Sequence, residues 1–309
     1  MALMTKPLDS MVGEYLTGRR ALGFALRGQD RLLHDFARFV SEANPDGPIN
    51  SAIAVQWACL HPTNRTRRLS FVREFARYCA IFDPRTEVPS ARLLGPRCGL
   101  RCAPHIYTPA QIRLIMQRAD NLGKISTLQP HTYQTFFGLL ACTGLRAGEA
   151  RRLRQNDFDP AVGTLHVPAT KFSPERCLPL HPTTVQALIR YQQVRSWMAG
   201  GDHFFVNRNG RPLLACLIDR VFRRITADIP CSGDRPRPRP HDLRHTFATN
   251  WIAEWSRKDR PLSHYLLRLA SYLGHRNMTM TWWYVSSDQR ALEEAADRFN
   301  RHRHGRDRT

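Results

Sequence analysis

No C-x-x-C pair occurs among the eight cysteines of this 309-residue chain; Cys98 and Cys102 are the nearest to each other. That spacing argues against a zinc ribbon, and scattered cysteines in a chain this long read as reduced thiols, which points to the cytoplasm. Long apolar runs are also missing. The most apolar stretch, TFFGLLACTGL, is too short to span a bilayer and ends in a charged motif. The first residues, MALMTKPLDSMVGEYL, lack a basic segment followed by an apolar core, so neither a signal peptide nor a membrane partner is expected. Acidic residues are few, 26 against 46 basic ones, and lysine is scarcest of all: only Lys6, Lys124, Lys171 and Lys258.

What fills the gap is arginine. A net charge of +20 and a sequence pI near 10.6 call for a polyanionic partner, nucleic acid before anionic membrane. Arginine grips phosphate with a planar fork of donors, whereas a lysine ammonium can release a proton, so a rare lysine among arginines is a candidate for proton chemistry. The alternative is a genome rich in G and C, whose arginine codons alone would account for most of the same bias.

Along the chain, residues 1–90 read as a helical unit. Leu8, Val12, Tyr15 and Leu16 form one apolar stripe, and Leu32, Leu33, Phe36 and Phe39 another. A third helix starts at a cap on Asn50 or Ser51. A fourth turns Leu69, Val72, Phe75 and Cys79 inward and carries Arg65, Arg67, Arg68, Arg73 and Arg77, which are expected to meet phosphates. From about Asp83 to Tyr107 the pattern dissolves into Pro, Gly and Arg, with 91–107 as a basic linker. A second unit over 108–300 opens on Thr108 as N-cap and Pro109 in the first turn. It continues through a buried helix, HTYQTFFGLLACTG, a hairpin formed by GTLHVPATK and RCLPLH, and further helices; 301–309 is a basic tail. The fold class is mainly α with a small antiparallel sheet.

Four separated pieces carry chemistry. In CTGLRAGEARRL a buried helix ends at Gly144 and Arg146 occupies the turn, with Glu149 three residues on to pair with it and aim it. In PATKFSPERCLPL, Lys171 sits at the hairpin. In HDLRHTFAT, His241 and Arg244 are three apart on one helical face, where two cationic groups repel unless an anion lies between them. In LGHRNMTMTWWY, His275 follows a C-cap glycine and Tyr284 comes nine residues later.

Arg146, Lys171, His241, Arg244, His275 and Tyr284, in that order, resemble the tyrosine recombinase (phage integrase) family through residues 108–290. The resemblance implies a two-domain DNA clamp: a helical, SAM-like core-binding domain and a mixed α+β catalytic domain. It implies that Tyr284 attacks a scissile phosphodiester, giving a 3′-phosphotyrosyl link and a free 5′-hydroxyl. Arg146 and Arg244 would hold the non-bridging oxygens, Lys171 would protonate the leaving oxygen, His241 would assist the tyrosine proton and His275 would hydrogen-bond the phosphate. No metal or other cofactor is implied. The partners implied are double-stranded DNA, a homotetramer on two DNA sites through exchange of the C-terminal tail, and accessory recombination proteins. The expected location is cytoplasmic, at the nucleoid when DNA-bound, and the expected role is integration or transposition of a mobile element.

Rival readings remain. His241 and His245 have the i, i+4 spacing of zinc helices, but Arg244 would point a positive charge at the metal. A type IB topoisomerase uses the same constellation without exchanging partners, a dimer-resolving recombinase uses it for chromosomes or plasmids, and an accessory DNA-binding protein would have lost part of it. Against the topoisomerase stands the tail SSDQRALEEAADRF, where Ser286 or Ser287 would cap a short helix with Leu292, Ala296 and Phe299 on one face. Two departures from the family stand out: the long connection 254–264, and Trp282 and Trp283 just before the tyrosine.

Overall fold

The structure is a computed structural model that describes residues 6–24, 26, 28–45, 47–95, 104–123, 128–170, 173–231, 237–256 and 262–286. The chain divides into two compact units, Met1–Arg101 and Cys102–Thr309, a division that falls within the 91–107 stretch.

The first unit consists of α1 (Leu8–Ala21), α2 (Gln29–Ala43), α3 (Ser51–Cys59) and α4 (Arg65–Cys79), with a short 3-10 turn, Pro62–Asn64, before α4. Asn50 is the residue that caps α3, its side chain accepting from the Ile53 N–H. The apolar stripes meet in one core built on Val12, Leu16, Phe36, Trp57, Val72 and Phe75. Each such side chain, fully buried, contributes roughly 1.5–3 kcal/mol.

One expectation is corrected in this unit. Arg68 does not face outward: it is buried, its guanidinium lies 3.6 Å over the Trp57 ring and it pairs with Asp35 at 3.4 Å. The same Asp35 accepts from Trp57 Nε1 at 3.0 Å. Arg68 lies on the same stripe as Val72, Phe75 and Cys79, so helical geometry carries it inward, and the aromatic face and carboxylate make the buried charge tolerable.

The second unit is mainly helical: α5 (Pro109–Asp120), α6 (Leu128–Thr143), α7 (Ala147–Ala150), α8 (Pro182–Met198), α9 (Ala215–Ile225), α10 (Pro240–Ser256), α11 (Leu262–Leu273) and α12 (Thr279–Ser286). Helix α5 begins as expected, Thr108 and Gln111 forming a capping box around Pro109. Helix α6 is apolar nearly all round and accordingly central, packed by α5, α8 and α10. Phe136, Phe137, Phe204, Phe205 and Phe222 interlock around it, mostly edge to face.

The sheet has three antiparallel strands in the order β1 (Phe158–Asp159), β2 (Thr164–Val167) and β3 (Arg176–Pro179). The hairpin expected from sequence is β2–β3, with Leu165 opposite Leu178; the two-residue β1 is an addition. The connection 254–264 begins within α10, which ends at Ser256, and finishes within α11; residues 257–261 lie outside the described set. Along α10 and α11 an aromatic ladder forms, Tyr265 on Trp255, Trp255 beside Trp251, then Phe247, whose ring stacks on Tyr272 at 5.7 Å.

Candidate functional site

The site is built on two helix ends closed by glycines. Helix α6 stops at Gly144 (φ +63°), whose N–H still bonds back to the Leu140 carbonyl, and α11 stops at Gly274 (φ +67°). At Gly274 the turn is a Schellman motif: His275 N–H donates to Ala270 and Gly274 N–H to Ser271. Only glycine adopts this backbone without strain.

Arg146 follows the first turn and sits at the N-cap of α7. Glu149, almost fully buried, accepts from Arg146 Nη1 at 2.8 Å and from the Arg146 backbone N–H at 3.1 Å, as its spacing predicts. The same carboxylate accepts from Arg176 Nη2 at 2.9 Å. Burial raises the Glu149 pKa, but Arg176 and then Arg146 outweigh it and hold the group at about 2. Arg176 also donates from Nε to the Tyr272 carbonyl at 2.8 Å and from Nη1 to Ser173 Oγ at 3.0 Å, and Ser173 Oγ donates to the Gly274 carbonyl at 3.0 Å. Arg176 thereby pins the sheet to the end of α11 and to Arg146 at once.

Arg244 is 1% exposed. It donates to the Gly144 carbonyl (2.7 Å) and the Leu273 carbonyl (2.8 Å), the C-terminal ends of α6 and α11, where helix dipoles concentrate negative charge. Burial lowers its pKa to about 10, with Tyr284 acting in the opposite sense, so the guanidinium stays charged at neutral pH. Fully buried Asp242 accepts from the Arg239 N–H at 2.9 Å and caps the start of α10, which carries Arg244.

His275 Nε2 lies 2.9 Å from Arg244 Nη2, and its Nδ1 lies 2.8 Å from Thr281 Oγ1. Burial, then the charges of Arg244, Arg146 and Arg176, push its pKa down to about 3, leaving a neutral ring. Tyr284, on α12 and 3% exposed, stacks on His275 (5.9 Å between centroids, 17° apart) and hydrogen-bonds Arg244. His245 also packs on the tyrosine, tilted, with 5.2 Å between centroids, and meets the exposed His241 at 4.7 Å.

Arg146, Glu149, Arg244, His275 and Tyr284 therefore converge, and His241 adjoins them through His245. Lys171 lies outside the described residues; the residues flanking its segment, Thr170 and Ser173, pair with each other. The tail helix expected after Ser286 also lies outside them, as does the side chain of Trp283, while Trp282 is half-exposed. In the first unit Arg65, Arg67 and Arg77 are exposed, Arg77 pairing with Glu74, and Arg73 lies partly buried beside the same carboxylate. Arg176, Thr281 and Ser173 were not singled out from sequence, and His245 was weighed only as a zinc partner of His241. Arg176 stands in the K-x-x-x-x-R-x-L-P-L pattern and His245 four residues after His241, which are the signals available. Among the described residues no group of three or more His, Cys, Asp or Glu is arranged to hold a metal, and no helix is long and apolar enough to cross a membrane.

Residues 106–290 match the model of the phage integrase family. Over 303 residues the chain is 36% identical to the integrase/recombinase y4rB of Sinorhizobium fredii, covering 94% of this chain and 96% of that one. It is 29% identical over 247 residues to the tyrosine recombinase XerC of Chlamydia trachomatis, covering 78% and 73%. Among solved structures, the Tn1549 transposon integrase in complex with a circular intermediate DNA is similar with a TM-score of 0.67 at 16% identity, covering 96% of this chain and 100% of that one. The XerH site-specific recombinase bound to its palindromic difH substrate gives 0.66 at 17%, covering 94% and 85%. The chain belongs to the phage integrase family. It is a tyrosine recombinase, and its mainly helical catalytic fold with a three-stranded sheet is that family's fold.

Proposed function

We propose that this chain cuts and rejoins double-stranded DNA at specific sites through a covalent 3′-phosphotyrosyl intermediate on Tyr284. The observation that carries the reading is the meeting of Tyr284, Arg244 and His275 beside Arg146, a nucleophile next to an array of aimed phosphate donors. The Tyr284 oxygen attacks phosphorus as its proton passes to His241. Negative charge grows on the non-bridging oxygens, where Arg146, Arg244 and His275 receive it; pre-aimed donors of this kind are worth roughly 10²–10³-fold each. The bond to the 5′-oxygen breaks, and Lys171 supplies the proton that makes it a hydroxyl. Because the phosphoester energy is kept in the tyrosyl link, reversal of these steps rejoins strands without ATP.

DNA bound in the similar Tn1549 and XerH structures supports a duplex substrate, as do the +20 charge and the exposed Arg65, Arg67 and Arg77. Similarity to the integrase/recombinase y4rB along nearly the whole chain, and to the Tn1549 transposon integrase, supports integration for a mobile element as the first reading. Assembly as a tetramer on two sites is part of that proposal. Dimer resolution is the second reading, and similarity to the tyrosine recombinase XerC is compatible with either.

The test uses a suicide-nicked duplex whose arms are selected by this protein from a randomised pool. A covalent adduct that forms in EDTA and disappears in Tyr284→Phe is expected; an adduct that survives the substitution refutes the nucleophile. Two-site plasmids yield exchanged products from a recombinase and only relaxed ones from a topoisomerase.

A further inference from the structure

Thr281 takes no part in the steps above, yet its side chain is fully buried and, among the described residues, its hydroxyl bonds only His275 Nδ1. On the far side of the ring, Nε2 faces Arg244 Nη2. A guanidinium nitrogen can only donate, so Nε2 accepts and bears no proton. The neutral ring therefore carries its single proton on Nδ1 and gives it to Thr281 Oγ1.

In that tautomer Nε2 has nothing to offer a phosphate oxygen. To donate there, the ring must release the Nδ1 proton to a solvent water and take one up on Nε2 from another, with no change in net charge. Arg244 Nη2 then loses its acceptor on the ring and turns with Nε2–H toward the same oxygen. Nδ1 becomes an acceptor inside a buried site. A hydroxyl serves both arrangements: it accepts from Nδ1–H in the first and, by rotating its proton, donates to Nδ1 in the second, with no heavy atom moving. Thr281 also precedes Tyr284 by one helical turn, so the same bond holds α12 against the ring.

We propose that Thr281 is a positioning residue whose hydroxyl lets His275 change tautomer, from acceptor for Arg244 to donor for the scissile phosphate. The inference rests on the reading of His275 as a phosphate donor.

The experiment compares adduct formation on the selected, suicide-nicked duplex by wild type, Thr281→Val, Thr281→Ser, His275→Gln and the Val/Gln double variant. Thr281→Val, which keeps the shape and drops the hydroxyl, is expected to slow cleavage about 10–100-fold, the range found when metal-bound histidines lose their outer hydrogen-bond partner. Thr281→Ser restores the rate, and in the His275→Gln background the valine costs nothing further. Wild-type cleavage by Thr281→Val, or equal losses in the Val and Ser variants, overturns the proposal while leaving His275 intact. Wild-type cleavage by His275→Gln overturns instead the reading of His275 beneath it. Should the valine variant not fold, ¹⁵N signals of the His275 ring decide: Nδ1–H in the free protein and Nε2–H in the complex of Tyr284→Phe with intact duplex support the proposal, and one tautomer in both overturns it.

Discussion

Glu149 turns a pair of arginines into a fixed array, and its own titration reports how firmly. Its folded-state pKa of about 2 lies below the ordinary 4.5, a gap of roughly 3 kcal/mol in native stability. The sign follows from the direction: the contribution is complete above about pH 4.5 and fades as pH falls toward 2. Glu149→Gln should lower the urea midpoint at pH 7, and its deficit against wild type should shrink between pH 4.5 and 2; a deficit unchanged over that range refutes the linkage. His275 works in the opposite chemical sense over a neighbouring window. A histidine held neutral to about pH 3 costs stability as pH falls from 6.5, because the unfolded chain takes up the proton first. His275→Gln should therefore unfold with a flatter pH dependence between 6.5 and 3. The Arg146–Glu149 pair was legible because it is local, three residues apart. The share of Arg176 in that carboxylate was not, since it depends on strand β3 lying against the ends of both α6 and α11.

At the scale of elements, the two glycine-closed helix ends are the least tolerant joints. A Cβ on Gly144 would come within 2.6 Å of the Phe247 ring and 2.9 Å of Leu273, on a backbone that already disfavours it. Gly144→Ala is expected to cost about 2–4 kcal/mol in denaturant unfolding. Helix α4 separates two kinds of arginine. Arg67→Ala should leave the melting temperature nearly unchanged and reduce the salt dependence of duplex binding by about one counterion. Arg68→Ala should do the reverse, because it empties the face of Trp57 and leaves Asp35 short of a partner. The first helices were readable from their apolar stripes, as was the Thr108 cap, while the cap of α3 was narrowed to Asn50 or Ser51. Strand β1 was not, being two residues long. Arg68 was misread because charge was weighed above its place on the stripe. His245 was weighed only for metal spacing, since nothing local shows that Tyr284 folds back against it.

For the whole molecule, a net charge of +20 makes association with duplex strongly dependent on ionic strength. If about six to ten phosphates are neutralised, affinity should fall some 10³–10⁵-fold between 50 and 200 mM salt. A slope near zero in binding titrations would argue that the charge serves something other than DNA. The bonds of Arg244 carry a further consequence, one of timing. They join carbonyls 100 residues before it and 29 after it, among the more non-local contacts in the chain. Contacts of that reach pay their loop-closure entropy before they return any stability, so they form late. A chain emerging from the ribosome displays its N-terminal basic helices before Leu273 and Tyr284 have been made. Arg244 therefore gains its second anchor, and the cluster its tyrosine, only once synthesis has passed residue 284, so this grouping is among the last parts of the molecule to be completed.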